Sequence, residues 1–244
     1  MIKFFRKIRQ KLIAEGNLKR YLIYAIGEII LVVIGILIAL QINNWNENRK
    51  NNKKRIDYQL GLITDINKDI ESIDNLLIFI EESIEQYNNF TKRLSQPNAS
   101  YDTLVKIAKY EFLGYFNNID AFHTATFQTL LSTGDIGLFN ENIRTQLIEL
   151  NNQQQITLVV TKEAVDQYLD ALVSYKYLSN IPISTIKSGK LYDAFWHNVD
   201  KSELVKDFCL VTLRHNNINR TSKNAYTNLR KDLIKILSNL KEKG

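Results

Sequence analysis

The strongest hydrophobic pattern in the chain is an unbroken apolar stretch near the N-terminus. Residues 21–42 read YLIYAIGEIILVVIGILIALQI, and Glu28 supplies the one ionisable carboxylate among them. At 1.5 Å per residue, a helix of this length rises about 33 Å, which matches the roughly 30 Å hydrocarbon core of a bilayer. Core helices of soluble proteins seldom run this far without a polar face. The stretch therefore predicts a transmembrane helix over residues 21–42.

The residues at the two ends of this stretch support the same interpretation. Tyr21 and Tyr24 stand at one end and Trp45 at the other, where aromatic side chains anchor a helix at the membrane interface. A cleaved signal peptide would have a shorter apolar region that ends in a small-x-small cleavage site. No Ala-x-Ala pattern follows the stretch here. We therefore expect an uncleaved signal-anchor helix.

Downstream of the stretch, apolar residues recur with heptad spacing over residues 56–94. A pattern sustained for about five heptads predicts a long helix. A parallel homomeric coiled coil would place Asp69 opposite Asp74 of a neighbouring copy, which is a repulsive pair. These flanking positions favour a helix inside an intramolecular bundle instead. The two registers are Ile56, Ile63, Ile70, Leu77 and Ile84, and Ile66, Ile73, Ile80, Tyr87 and Leu94.

Four further segments predict the helices with which the first one would pack. Asn140 and Asp200 suit N-cap positions, and Gly134 suits the position after a helix C-terminus. The polar run 151–155 interrupts the apolar face of one segment and indicates a kink or a solvated bulge. The segments are 100–116, 121–132, a stretch from Asn140 towards Asn180, and a last helix from Asp200 with Glu203 as its capping-box partner.

Together these patterns predict an all-α protein, with one N-terminal transmembrane helix followed by an elongated antiparallel helical bundle. No second apolar segment is long enough to cross a membrane. The expected parts are a basic amphipathic cytoplasmic segment (1–20), the transmembrane signal-anchor helix (21–42), a polar basic membrane-exit linker that can also continue the same helix (43–55), and a soluble helical bundle domain (56–244).

The distribution of charge is more informative than the net charge of +6. Residues 1–20 carry seven basic side chains and one acidic side chain. This surplus of six equals the net charge of the whole chain, so the basic and acidic side chains of the remaining residues are equal in number. Basic charge on both sides of an apolar stretch indicates a membrane rather than a nucleic acid. Seven basic residues before the span against five after it favour an N-terminus in the cytoplasm. The five are Arg49, Lys50, Lys53, Lys54 and Arg55.

Glu28 is the chemically unusual residue of the apolar stretch. An ionised carboxylate inside a membrane is costly, so such a group is protonated, paired or directed at protein. Gly35 and Ala39 form a small-xxx-small pair that lets helices approach closely. Glu28, Gly35 and Ala39 share one helical stripe, which predicts a face for self-association or partner binding. The alternative is a carboxyl group that extends towards the headgroups beside a glycine that has no special role.

Two stretches resemble the recurring elements of a family of small bacterial single-pass membrane proteins of unknown function. The first is MIKFFRKIRQKL followed by YAIGEIILVVIGILIALQINNWNENRK, which resembles the N-terminal signature of that family. The second is AFHTATFQTLLSTGDIGLF, a helix that ends in glycine before a short apolar turn. The resemblance implies a membrane location and an N-terminal anchor on a helical domain. It implies no catalytic residue, ligand or partner.

The sequence offers little catalytic chemistry. His123, His197 and His215 lie far apart, and none has a partner at a metal-ligand spacing such as H-E-x-x-H, so we expect packing or surface roles. Cys209 lies beside Phe208 and is expected to be a buried, inert thiol. No phosphate-binding glycine loop, nucleophile elbow or kinase signature occurs. We therefore expect no enzymatic activity, cofactor or metal.

Two hypotheses of function follow. The first is a membrane-anchored, non-enzymatic interaction or scaffold protein of the cytoplasmic (inner) membrane, with its C-terminal domain outside the cytoplasm. Its expected partners are the lipid bilayer and either a second copy or another membrane or envelope protein, with no nucleic acid. The alternative is a ligand-sensing helical module that acts through a membrane partner. Its pocket would be lined by Tyr168, Tyr175, Phe195 and Trp196.

Overall fold

The computed structural model describes residues 18–114, 116–175, 177–178 and 188–242. The predicted basic segment lies, up to residue 17, outside this range. Every regular element within it is helical, which confirms the all-α class. The elements are α1 (Leu18–Leu94), α2 (Tyr101–Lys106) with a π turn (Ile107–Glu111), α3 (Ala125–Thr133) with a 3-10 turn (Asp135–Leu138), α4 (Glu141–Ser174), α5 (Lys190–His197) and α6 (Lys201–Glu242).

The chain divides into two compact units, the first ending at Ile56 and the second beginning at Asp57. The described part of the first unit is the N-terminal portion of α1, and residues 43–55 are helical within it. Its apolar stretch contains an 18-residue window of mean hydropathy 2.7, none of which is buried inside the protein. This portion of α1 is therefore long and apolar enough to span a membrane.

Side-chain pairs give the direction of each long helix in the second unit. Arg230 pairs with Asp74, and Lys223 donates to Glu81 at 3.2 Å, so α6 runs antiparallel to α1. The Asn239 amide donates to Gln146 on α4 at 2.8 Å. Together with the contact between Thr161 and Tyr226, this makes α6 antiparallel to α4 as well. It follows that α1 and α4 point the same way.

The segment between α1 and α4 completes the arrangement, because it returns along α1 in the opposite direction. Along it, Glu111 pairs with Arg93, Phe116 contacts Phe79, His123 contacts Asp69, and Asp135 accepts from Tyr58. The four parts of the bundle therefore run up, down, up and down along the chain. The second part is the return segment, which consists of short helices and extended chain, and the other three are α1, α4 and α6. This arrangement confirms the predicted antiparallel bundle.

Two hydrophobic cores lie inside the bundle. One contains residues from α1, α3, α4 and α6, and includes Ile73, Leu130, Leu147 and Tyr226. The other lies where α2 and α5 join the long helices, and includes Phe90, Tyr168, Trp196 and Phe208. The face of α1 that a coiled coil would use is thus covered by the same chain.

The burial along α1 refines the predicted heptads. The register of Ile66, Ile73, Ile80 and Tyr87 is buried, whereas Ile63, Ile70, Leu77 and Ile84 of the other register are half-buried and Ile56 is exposed. A third register fills the remaining core positions, because α3 and α4 cover that side of the helix. Its buried members are Leu62, Asp69, Leu76 and Phe90.

The helix ends follow the predicted capping chemistry. Asn140 accepts from the backbone N–H of Ile143 at 3.0 Å, and Asp200 accepts from the N–H groups of Ser202 and Glu203. Gly134 ends α3 with a φ of 73°, in the left-handed region that favours glycine. The reciprocal half of the predicted capping box was wrong, because the Glu203 side chain accepts from Lys206 and the Asp200 N–H donates to the Tyr177 hydroxyl at 3.1 Å.

Three helix boundaries and one predicted interruption differ from prediction. The π turn ends at Glu111 rather than at residue 116, α3 begins at Ala125, and α4 ends at Ser174 instead of continuing towards Asn180. Asn180 itself lies outside the described residues. The polar run 151–155 lies inside the continuous helix α4, and its Gln154 is buried. The predicted solvated bulge was therefore wrong at this residue, because the Gln154 amide donates to the buried carboxylate of Asp69.

Candidate functional site

The predicted membrane residues all lie on α1. Gly35 and Ala39 are exposed and Glu28 is partly exposed. A Cβ atom added at Gly35 would contact no other segment of the described chain within 4 Å. The interface role of Glu28, Gly35 and Ala39 stays a prediction.

The predicted interface anchors flank the apolar stretch on the same helix. Tyr21 and Tyr24 lie in its first turns, and Trp45 lies just past its end. The Trp45 side chain is 67% exposed, and the Arg49 guanidinium lies 5.9 Å from the centroid of its ring. The anchoring role of the three aromatic residues also stays a prediction.

A polar cluster that the sequence pattern did not predict is centred on Asp69. This residue is 1% exposed and lies at a core position of α1. Its Oδ1 accepts from the backbone N–H of His123 at 2.8 Å and contacts Nδ1 of the same residue at 2.8 Å. Its Oδ2 accepts from Nε2 of Gln154 at 2.7 Å. Asp69 therefore joins α1, the return segment and α4.

The electrostatics of the cluster follow from burial. Removal from water raises the pKa of Asp69, and the hydrogen bonds from His123 and Gln154 act in the opposite direction. We assign a proton to Nδ1 of His123, so that the ring donates to Oδ1 of Asp69. The His123 side chain is 45% exposed. An aspartate that accepts from a histidine ring also occurs in catalytic triads, where the aspartate orients the histidine. Here the hydrogen bonds of Asp69 hold the segment around His123 and helix α4 against α1.

The neighbouring contacts fasten the second family-like stretch to one face of α1. The Asp65 Oδ2 accepts from the Thr126 N–H at the start of α3, at 3.1 Å. Gly61 lies so close to this helix that a Cβ atom there would approach the Thr126 side chain to 2.9 Å. Tyr58 donates to Asp135 at 2.9 Å. We call Tyr58, Gly61, Asp65 and Asp69 the docking face.

One signal in the sequence could have revealed this face. Asp69 stands seven residues after Leu62 and seven before Leu76, so it occupies a heptad core position. A carboxylate at such a position is almost never buried without partners. Those partners, His123 and Gln154, are distant in sequence, and their identity required the folded chain.

A second polar cluster lies inside the aromatic core around His215. The His215 ring stacks on Tyr87 at 3.9 Å between centroids and meets Phe116 and Tyr168 edge to face. Burial raises the pKa values of the Tyr87 and Tyr168 hydroxyl groups, so both stay neutral. The ring of His215 therefore acts as a packing residue, as expected.

A cleft of about 300 Å³ opens beside this ring. Asn219, which is buried behind the cleft, donates to Ser83 at 3.4 Å and contacts His215 at 3.1 Å. Its Oδ1 and the Ser222 hydroxyl are buried without a hydrogen-bond partner among the described atoms. The cleft is lined by Phe79, Glu82, Ser83, Gln86, Tyr87, Leu113 and His215.

The four aromatic residues predicted to line a ligand pocket do not border the cleft beside His215. Tyr168, Tyr175 and Trp196 are buried in the second core, where they fill space rather than border it. Phe195 is exposed. An open cleft lies instead beside Tyr87 and His215.

The remaining candidate residues from the sequence are His197 and Cys209. His197 is the last residue of α5 and is exposed. Cys209 is also exposed, so the prediction of a buried thiol was wrong, because the residue lies beside the buried stripe of α6 rather than on it. Within the described ranges, no group of three or more His, Cys, Asp or Glu side chains is placed to hold a metal ion.

A family model described as a family of unknown function (DUF6090) matches residues 28–187, a range that contains most of the apolar stretch, the docking face and α4. No curated protein and no solved structure matches the chain.

Proposed function

The chain belongs to the family of unknown function DUF6090, and from that premise we propose that it is a membrane-anchored, non-enzymatic interaction or scaffold protein. The observation that carries the proposal is the apolar portion of α1, whose most apolar window is not buried by any of the residues that the structure describes. An exposed apolar surface of this size is costly in water and stable in lipid.

The second unit supports an interaction role. It is a bundle with two filled cores, and its docking face uses polar side chains to fasten chain segments rather than to hold a substrate. The catalytic motifs considered above do not occur in the sequence. A rigid helical surface held at a membrane suits a partner protein or a second copy.

We place the protein in the cytoplasmic membrane as a single-pass signal anchor, with its N-terminus inside and its helical domain outside. The support is the excess of basic residues before the apolar stretch. Orientation can be measured by protease treatment of spheroplasts, in which the outer face of the cytoplasmic membrane is accessible, compared with permeabilised spheroplasts. Cleavage of the domain only after permeabilisation would contradict the proposed orientation.

Carbonate extraction tests the membrane anchor directly. The full chain should remain in the membrane pellet at alkaline pH, and N-terminal sequencing should show a first residue upstream of the apolar stretch. Release into the supernatant, or a first residue downstream of Trp45, would overturn the proposal.

Affinity purification from detergent followed by mass spectrometry tests the interaction role. A stoichiometric envelope protein, or a second copy carrying a different tag, is the expected result. Recovery of the chain alone at every detergent concentration, together with a substrate turned over by the purified protein, would favour an enzyme instead.

The stripe of Glu28, Gly35 and Ala39 is the proposed self-association face. Cross-linking in membranes should give fewer dimers for Gly35→Ile and Glu28→Ala than for wild type, because a bulky side chain separates the helices and the loss of the carboxyl removes a hydrogen bond. Gly27→Ile, on a different face of the same helix, is the matched control. An unchanged dimer yield would remove this face from the proposal.

The cleft beside His215 favours ligand sensing as a second candidate function. Its lining residues Ser83 and His215 contact Asn219, whose buried Oδ1 has no hydrogen-bond partner among the described atoms, and a small polar ligand that displaces Ser83 would reach this oxygen. Thermal stabilisation of the purified chain by a metabolite library, abolished by Ser83→Val but not by Ser72→Val, would support this candidate. No stabilisation by any compound would remove it.

A further inference from the structure

A dense basic segment follows the apolar part of α1. Arg49, Lys50, Lys53, Lys54 and Arg55 fall within seven residues, and no carboxylate occurs between Glu47 and Asp57. The residues beyond this segment are slightly acidic in total. Positive charge is therefore concentrated at the exit of the apolar stretch rather than spread over the chain.

The helix arranges these side chains on one side. Trp45, Arg49 and Lys53 are spaced four residues apart and form a continuous stripe, and Lys50 and Lys54 form the adjacent stripe. Arg49, Lys50, Lys53 and Lys54 are all exposed. The cation–π contact between Arg49 and Trp45 keeps the guanidinium beside an indole ring that itself favours the membrane interface.

The rise of the helix sets the depth of each group. At 1.5 Å per residue, Trp45 lies about 4 Å and Arg49 about 10 Å past Ile42, the last residue of the apolar stretch. The headgroup layer extends roughly 5–8 Å beyond the hydrocarbon core, so Trp45 lies within it. The backbone of Arg49 lies just outside this layer, and its long side chain extends back towards the Trp45 ring and so reaches the headgroups. Lys50 and Lys53 lie farther out, within about a Debye length of headgroup charges.

We propose that Trp45, Arg49, Lys50 and Lys53 form a binding surface for anionic phospholipid headgroups. The inference rests on the proposed membrane anchor and adds the chemistry of its lipid partner. Arg49 contacts the lipid phosphate, with Trp45 holding it at that depth, and the lysines attract anionic lipids through longer-range charge. The expected consequence is an annulus enriched in anionic lipid on this side of the membrane.

Trp45 provides a direct reporter because the chain contains two tryptophans. Full-length protein carrying Trp196→Phe is reconstituted into vesicles of phosphatidylglycerol and phosphatidylcholine, with bromine near the headgroup end of the acyl chains of one lipid at a time. Brominated phosphatidylglycerol should quench Trp45 more than its bulk fraction predicts, with a local enrichment of about fivefold for each contacting cation. Should Trp196→Phe lose its helicity, the difference between wild type and Trp45→Phe gives the same signal.

Charge-removing variants test which cations act. Arg49→Gln with Lys50→Gln and Lys53→Gln should return the quenching to the bulk lipid ratio. The control triple variant Lys68→Gln, Lys162→Gln and Lys231→Gln removes the same charge from exposed positions of the second unit and should keep the enrichment. An equal effect of both triple variants would overturn the proposal.

The outcomes separate this inference from the membrane anchor itself. Equal quenching by both brominated lipids means that Trp45 sits in the bilayer without lipid preference, which overturns the headgroup site and leaves the anchor intact. Absence of quenching by either lipid overturns both. Enrichment that survives 1 M salt would also contradict the proposal, since charge attraction is screened at that ionic strength.

Discussion

Two portions of the same helix, residues 22–42 and 57–94 of α1, differ in how their apolar side chains are arranged and buried. In the first portion apolar residues occur all round, and Leu31 is 69% exposed. In the second portion they follow heptad registers, and Ile73 is fully buried by the bundle. Both portions are regular α-helix, so backbone conformation does not distinguish them.

The difference shows that the arrangement of apolar residues, rather than their number, decides what covers a helix. A stripe can be buried by two or three neighbouring helices, whereas a full circumference needs a solvent that surrounds it. Burial of one large aliphatic side chain contributes about 1.5–3 kcal/mol. In the second portion the protein supplies this gain, and in the first we assign it to lipid.

The largest effect is expected from charges in the middle of the first portion. Leu31→Lys with Ile34→Lys should cost about 2.5–3.5 kcal/mol each for membrane insertion and release the protein in carbonate extraction. The control is Leu60→Lys with Ile78→Lys, two exposed positions of the second portion, which should leave the protein in the pellet. Retention of the first variant would show that lipid does not cover that portion.

The next effect concerns packing in the second portion. Ile73→Ala removes a side chain with no exposed surface and should lower the free energy of unfolding by about 2–5 kcal/mol. Ile78→Ala, five residues along the same helix and 58% exposed, should change it by less than about 0.5 kcal/mol. Urea unfolding of the full chain in detergent, followed by circular dichroism, measures both. Equal losses would mean that the bundle does not bury this face.

The docking face allows the same comparison of a buried and an exposed position to be made with polar side chains. Asp69→Ala leaves the amide of Gln154 and the N–H of His123 without their acceptor and should cost about 1–3 kcal/mol. Asp74→Ala removes an exposed ion pair with Arg230 and should cost less than about 1 kcal/mol. Unfolding of the two variants under identical conditions compares them. A larger loss for Asp74→Ala would contradict the assigned role of Asp69.

The smallest effect concerns the ion pair between Arg93 and Glu111, at the other end of the bundle. The Arg93 guanidinium lowers the pKa of Glu111 below its ordinary value of 4.5. Because the folded chain then binds this proton less readily, the pair stabilises the protein at neutral pH, and its contribution is lost as the pH falls through that lowered pKa. Solvent screening limits the contribution to about 0.5 kcal/mol.

Paired unfolding measurements at two pH values can detect it. Glu111→Gln should be slightly less stable than wild type at pH 7 and equal to it well below pH 4, and 1 M salt should remove the difference at pH 7. Glu85→Gln serves as the control for loss of an exposed carboxylate on α1. A difference that grows as the pH falls would reverse the sign and refute the assignment.

Local patterns predicted much of this fold. The heptads gave the helix through Leu94, and the caps Asn140 and Asp200 gave the starts of α4 and α6 correctly. The prediction for the polar run 151–155 failed because the helical period alone marks Gln154 as an interruption of the apolar face of α4. The buried carboxylate of Asp69 turns the same residue into a core partner, and that pairing spans 85 positions.

The sequence by itself determined the apolar stretch, the helical class and the antiparallel order of elements, since these depend on residue periodicity and on capping groups a few positions apart. Tertiary structure alone decided that Asp69 and Gln154 meet, that His215 is enclosed by aromatic rings and that Cys209 is exposed. The physical reason is that desolvation and hydrogen bonding depend on neighbours brought together by the fold. A helix presents its side chains in a known direction, but only the packed bundle determines which of them leave water.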